Sequence, residues 1–342
     1  GEIKMIKVAI NGFGRIGRLA FRLLNEDPQF QVVAINDLTD AEQLAYLLKY
    51  DTGQGLYRPD DINHEGTELI VGDRHFNVYS EKDPINLPWR QLDVDVVLEC
   101  TGFFLSQEGA GKHIEAGAKY VVISAPAEKG IKTVVFNVNH DILTKDDHII
   151  SAASCTTNCL APMLNALHKS FGVVRGFMTT VHAFTNDQSL VDQPHRKGIL
   201  SRRGRAASQN IVPSSTGAAK AISLVIPDLK GKLDGTALRV PVLSGSIVDL
   251  TVELSKTVTV EEIHTSIIES QSDTMKFTTD PIVSSDVIGN THSTVFDGNT
   301  TQILTTADGK QLVKVMAWYD NEMGYTAQMI RTMSHLMHLW SN

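Results

Sequence analysis

The stretch IKVAINGFGRIGRLAFRLL, beginning at Ile6, leaves few folds open. A β-rich apolar run from Ile6 to Ile10 turns at Asn11-Gly12 and continues with helical periodicity through Ile16, Leu19, Ala20 and Leu23. Gly12, Gly14 and Gly17 form G-x-G-x-x-G between that strand and that helix. In this pattern the first glycine permits the tight turn, the second lets a pyrophosphate approach the backbone, and the third lets helix and strand pack closely. The helix start then offers its free N–H groups to phosphate. A second strand, FQVVAIND, ends in Asp37, 20 residues after Gly17. An acid there hydrogen-bonds the adenosine ribose and repels a 2′-phosphate, so the expected cofactor is NAD rather than NADP.

Further strands follow in DVVLECTG, YVVISAP and KTVVFNVN, alternating with helical segments such as AEQLAYLLKY and GAGKHIEAGA. The order predicts a doubly wound parallel sheet of the Rossmann type. Thr101 and Ser124 fall at strand ends, where a ligand crosses the sheet edge, while Cys100 reads as a core residue inside its strand. After Cys159 the pattern changes to longer alternating strands: GVVRGFMTTVHAF, ALRVPVLSGSIVDLTVELS and QLVKVMAWYD. These predict an α+β catalytic domain with a mostly antiparallel sheet and helices on one face. With 342 residues the chain has room for both. The expected division is 1–154 for the NAD-binding domain, completed by a C-terminal helix over 320–342, and 155–319 for the catalytic domain. The natural chain is expected to begin near Met5.

The net charge of −8 disfavours nucleic acid or an anionic membrane as the main partner, and no apolar run reaches transmembrane length. The three cysteines, Cys100, Cys155 and Cys159, are too few for a disulfide scaffold and lack zinc-site spacing. An intracellular, cytoplasmic protein without a metal is expected. Cys155 is different in kind. It lies in SCTTNC, flanked by hydroxyls, where LAPMLNALHKSF begins to read as a helix. A thiol at a helix start meets free N–H groups and the positive end of the helix dipole, which favour thiolate. His182, within the strand-like TTVHAF, is the candidate base. Ser215, Thr216 and Gly217 open an alanine-rich helix in an anion-binding arrangement. Arg239 sits in an otherwise apolar strand and calls for an anionic partner. Arg202 and Arg205 read as a solvated or subunit-facing charge cluster. One chemistry uses all these parts: thiolate attack on an aldehyde, hydride loss to nicotinamide with a base removing the hydroxyl proton, and cleavage of the thioester by inorganic phosphate.

From about Ile6 to about Met337 the sequence resembles the phosphorylating glyceraldehyde-3-phosphate dehydrogenase family, through INGFGRIGR, LLKYD, ASCTTNCLAP, PSSTGAAKA, KLDG, RVPV and WYDNEMGYT. The resemblance implies a homotetramer that oxidises D-glyceraldehyde 3-phosphate with NAD and inorganic phosphate in glycolysis. It makes Cys155 the nucleophile and His182 the base. Thr185 and Arg239 match the positions holding the substrate's own phosphate; Ser154, Thr156, Thr216, Gly217 and Arg203 match those around the attacking phosphate. Asn321 matches the residue holding the nicotinamide carboxamide, and Arg15, Ile16 and Tyr325 join the expected cofactor contacts. The arginine-rich stretch from Asp192 matches a loop at the subunit interface. The departures are Phe184, Gln193 and a slightly longer 194–202 segment. Erythrose-4-phosphate dehydrogenase is the nearest alternative, but it typically lacks the threonine after the histidine motif and the STGAAKA helix start. A second role at a surface or on nucleic acid is neither supported nor excluded.

Overall fold

The computed structural model describes residues 5–341. The residues before the expected start at Met5 lie outside them. The chain forms two compact units. One comprises the residues up to Val134, His140–Ala153 and the chain from Met329 onward; the other comprises Val135–Asn139 and Ser154–Gln328.

In the first unit, β1 (Ile6–Asn11), α1 (Arg15–Glu26), β2 (Phe30–Asn36) and α2 (Ala41–Lys49) are followed by a meander of β3 (Ile62–Glu65), β4 (Glu68–Val71) and β5 (Arg74–Tyr79). Then come β6 (Val96–Glu99), α3 (Gln107–Glu115), β7 (Tyr120–Ile123), β8 (Lys132–Thr133) and β9 (Ile149–Ser151). Among the described residues they make one sheet in the order β3-β4-β5-β2-β1-β6-β7-β9-β8. All its pairings are parallel except β3 with β4 and β4 with β5. The chain runs from β1 to β2 on one side and returns to β6 on the other, which makes the end of β1 a topological switch point. The central strands β1, β6, β7 and β9 are almost wholly buried and mostly apolar, and Ala9, Val97, Val121 and Ile123 cluster with Trp89 and with Ala110 of α3.

Two expectations for this unit change. KTVVFNVN is a strand only over Lys132–Thr133. Beyond it the Asn139 side chain accepts from the Val135 N–H at 2.8 Å and Asn137 takes a φ of 61°, so side-chain bonding replaces the ladder. Cys100 lies one residue past the end of β6, not within it.

The second unit holds α4 (Cys155–Phe171), β10 (Val173–Ala183), β11 (Val212–Ser215), α5 (Ala218–Val225), β12 (Leu233–Val240), β13 (Ser246–Leu254), α6 (Val260–Glu269), β14 (Met275–Thr278), β15 (Thr294–Thr305) and β16 (Gln311–Tyr319). The sheet order is β11-β12-β10-β13-β16-β15-β14. Pairings are antiparallel except β10 with β12 and β14 with β15. α4 packs against α5, α6 and four of these strands. β13 alternates buried and half-buried throughout, the signature of a sheet with one covered face. The run ALRVPVLSGSIVDLTVELS is two strands, because Pro241 offers no N–H and Gly245 turns at a φ of 89°. The last helix, α7 (Met323–Ser341), begins three residues later than expected, after Asp320 accepts from the N–H groups of Glu322 and Met323.

Candidate active site

α4 opens at Cys155, and Ser154 caps it: its hydroxyl accepts from the Thr157 N–H at 3.1 Å. Thr156 is tied to the sheet by the Tyr319 hydroxyl, which lies 2.9 Å from its Oγ1 and 2.7 Å from that of Thr180 on β10. Two residues further along β10 is His182, whose register partner on β12 is Arg239. Helix start and strand pair thereby converge, and Cys155 Sγ lies 3.3 Å from His182 Nε2.

The other ring nitrogen, Nδ1, lies 2.7 Å from the Ala183 carbonyl and 2.8 Å from Arg239 Nη1. Guanidinium only donates and a carbonyl only accepts, so each tautomer of the ring satisfies one of these two contacts. With the proton on Nδ1 it goes to the Ala183 oxygen, and Arg239 donates to that oxygen at 3.0 Å and to Thr185 Oγ1 at 3.2 Å. Nε2 then presents its lone pair to the thiol, as a base must. With the proton on Nε2, Arg239 donates to Nδ1 instead.

Burial and then the adjacent Arg239 hold the His182 pKa down to about 3, so the ring is neutral. Burial also pushes the Cys155 thiol up, against a smaller downward pull from Arg239 and Thr156. At Cys155 desolvation therefore outweighs the pull of the helix start toward thiolate. Arg239 Nε is buried with no hydrogen-bond partner among the described residues. A strand arginine with an orphan N–H and no carboxylate bonded to it marks a place for an anion.

Asp187 closes the cluster. It accepts from Thr185 Oγ1 at 2.5 Å and forms an ion pair with Arg203. Burial works against its charge, but the Thr185 hydroxyl and Arg203 outweigh it and hold the carboxyl below its usual range. Arg203 also reaches the Ser215 carbonyl at 3.5 Å, beside Thr216, whose hydroxyl accepts from the Ala218 N–H at 3.1 Å at the start of α5.

In the first unit a cavity of about 540 Å³ is lined by Asn11, Gly12, Gly14, Asn36, Asp37, Thr101 and Phe103, among others. Gly12 holds a φ of 92°, and a Cβ there would stand 2.8 Å from the Cys100 carbonyl carbon. A Cβ on Gly17 would lie 2.0 Å from the Gly12 oxygen, so helix and turn touch backbone to backbone. Gly14 meets nothing within 4 Å, and α1 has neither a side-chain cap nor an acid in its first turn. The helix start is open to a diphosphate. Asp37 accepts from the Phe13 N–H at 2.7 Å and the Thr39 N–H at 2.9 Å, one bond per oxygen, which leaves each oxygen a lone pair for a ribose hydroxyl. These residues fit a dinucleotide.

Two family profiles match the chain. The NAD binding domain of glyceraldehyde 3-phosphate dehydrogenase covers residues 6–107, and the C-terminal domain of the same enzyme covers 154–321. The chain belongs to the glyceraldehyde 3-phosphate dehydrogenase family. It is 56% identical to the glyceraldehyde-3-phosphate dehydrogenase of Clostridium acetobutylicum over 331 residues, 97% of this chain and 98% of that one. The Clostridium pasteurianum enzyme is 55% identical over 331 residues, and the Streptococcus pyogenes enzyme 54% over 332, with the same coverage of both chains.

Against the positions this family suggested, the structure draws Cys155, His182, Thr185, Arg203 and Arg239 into one bonded cluster. Ser154 bonds within the first turns of α4, and Thr216 and Gly217 adjoin the cluster through Ser215. Gly12, Gly14, Asp37 and Thr101 line the cavity; Arg15, Ile16, Gly17 and Ser124 do not. Arg15 pairs with Asp51 at 2.5 Å, and Ser124 sits just beyond β7 against Cys100. Asn321 has its amide oxygen fixed by Gly245 N–H and the Ser246 hydroxyl at 3.2 and 2.9 Å, and Tyr325 is buried in α7. Sequence reasoning missed Asp187 and Tyr319. The acid two residues after Thr185, facing an arginine-rich stretch, was the available signal for the first; nothing local marked the second.

Proposed function

We propose that Cys155 and His182 carry out the oxidation of D-glyceraldehyde 3-phosphate, with Arg239 and Thr185 holding the substrate's phosphate. The activity is that of an NAD-dependent glyceraldehyde-3-phosphate dehydrogenase of glycolysis. The contact between Cys155 Sγ and His182 Nε2 at 3.3 Å carries the assignment of roles. His182 takes the thiol proton as sulfur adds to the aldehyde carbon and delivers it to the carbonyl oxygen, giving a hemithioacetal on Cys155 and a neutral imidazole again. Bound NAD supplies the hydride acceptor. The same imidazole removes the hydroxyl proton as the carbonyl re-forms, leaving a thioester on Cys155. After burial, the Arg239 charge is the next cause of the low His182 pKa; the substrate's phosphate on Arg239 offsets that part, so binding raises base strength. Inorganic phosphate then attacks the thioester, with Thr216, Gly217, Ser154, Thr156 and Arg203 as the residues around it, and 1,3-bisphosphoglycerate leaves. Gly12, Gly14, Asp37 and Thr101 hold the dinucleotide, with Asn321 on the carboxamide.

The working assembly is a homotetramer in the cytoplasm, without nucleic acid as its main partner. In support, Phe177 on β10 is 72% exposed and Leu312 on β16 is 45% exposed, and both line a groove of about 800 Å³ on the second unit. A second copy of the chain would cover this apolar surface. NADH formation from glyceraldehyde 3-phosphate, with phosphate present, omitted or replaced by arsenate, tests the reaction. Sustained turnover only with phosphate or arsenate is expected; equal turnover without either rules out phosphorolysis.

A further inference from the structure

Beneath the dinucleotide cavity lies a buried acid that the chemistry above does not use. Glu99, the last residue of β6, is 1% exposed, and its neighbours His113 and Trp89 are both 0% exposed. One Glu99 oxygen accepts from Asn11 Nδ2 at 2.6 Å and from His113 Nε2 at 2.7 Å. The other accepts from the Thr101 N–H at 3.0 Å and its hydroxyl at 2.5 Å. Four donors on two oxygens fill the acceptor capacity of a carboxylate. Trp89 fixes the histidine: its indole N–H can only donate, and it lies 3.0 Å from His113 Nδ1. His113 therefore accepts there and turns its one N–H to Glu99. All of these donors but His113 belong to the cavity wall. Asn11 and Thr101 line it, and Asn11 accepts from Asn36, another wall residue, at 2.7 Å. The backbone between them carries the glycine turn, since the Cys100 N–H donates to the Asn11 carbonyl at 2.7 Å and Gly12 rests on Cys100 and Thr101.

We propose that Glu99, oriented by His113 and Trp89, is a positioning residue for cofactor binding: it sets Asn11, Thr101 and the Gly12 turn in the geometry that receives NAD. The proposal rests on the reading of this cavity as the NAD site. Glu99→Gln keeps the shape but turns one acceptor atom into a donor facing donors. His113→Leu removes the N–H that Glu99 accepts and the nitrogen that Trp89 needs. His113→Gln can supply both, an amide N–H for Glu99 and an amide oxygen for Trp89.

The test is NAD titration by calorimetry on folded protein, checked by circular dichroism and melting, together with the KM for glyceraldehyde 3-phosphate. Glu99→Gln and His113→Leu should each raise the Kd for NAD roughly ten- to a hundredfold, the scale of a lost charge-assisted hydrogen bond. His113→Gln should stay within about threefold of the parent, and the KM for the sugar phosphate should not move in any folded variant. A folded Glu99→Gln protein that binds NAD like the parent overturns the proposal. Should that variant not fold, equal NAD affinity in the two His113 variants overturns it. Asp37→Ala separates the two claims. If it weakens NAD binding while Glu99→Gln does not, the positioning role alone fails; if neither does, the reading of the cavity fails.

Discussion

Burial and the Arg239 guanidinium hold His182 near 3, against about 6.5 for an exposed histidine. Between those values the unfolded chain binds a proton that the native chain does not. Stability from this group is complete above about pH 6.5 and is lost as pH falls toward 3. The loss reaches about 2 kcal/mol by pH 5. Urea unfolding of the parent and His182→Asn at pH 7 and pH 5 should show that the variant loses less stability on acidification by about that amount. Parallel pH dependences would mean that His182 is protonated in the native site. The same variant should slow the hydride step by roughly 10²–10⁴, measured in a single turnover. A thiol among hydroxyls at a helix start singled out Cys155 in the sequence, and the polar neighbours of His182 singled out that histidine; their contact at 3.3 Å comes from the fold. The lowered pKa of His182 was not legible. It depends on Arg239, 57 residues further along the chain, and on a parallel register that pairs it with His182.

The turn from β1 into α1 separates two kinds of glycine. A Cβ on Gly17 would stand 2.0 Å from the Gly12 oxygen, so α1 must lift from the turn. Gly17→Ala should cost about 1–3 kcal/mol in unfolding as well as NAD affinity. A Cβ on Gly14 meets only open space, so Gly14→Ala should melt like the parent and still bind NAD poorly. Melting curves paired with NAD titration check both, and a Gly14→Ala protein with parental NAD affinity would place the diphosphate elsewhere. This element was readable because the glycines, strand and helix occur in one local order. The end of KTVVFNVN after Thr133 was not, because its apolar residues suit a strand while the Asn139 carboxamide, four residues away, takes the Val135 N–H. Pro241 and Gly245 did mark the break between β12 and β13, but the alternation on both sides reads straight through them.

The cavity proposed for the dinucleotide lies in the first unit and the Cys155–His182 pair in the second. The division into a parallel and a mostly antiparallel sheet followed from strand patterning. The exposed Phe177 and Leu312 show up only once β10 and β16 are folded into one sheet. Sedimentation velocity should find a tetramer, and Phe177→Lys should shift it toward smaller species; a monomeric parent would leave that face without the assigned occupant. The proposed chemistry turns on one covalent bond. Enzyme, NAD and glyceraldehyde 3-phosphate, mixed without phosphate and quenched in acid, should give a burst of one NADH per subunit. Intact-mass and peptide analysis should then find a phosphoglyceryl thioester on Cys155, absent in Cys155→Ser and discharged when phosphate is added before the quench. An acyl group on Cys100 or Cys159, or full turnover with no acyl-enzyme at all, would contradict it.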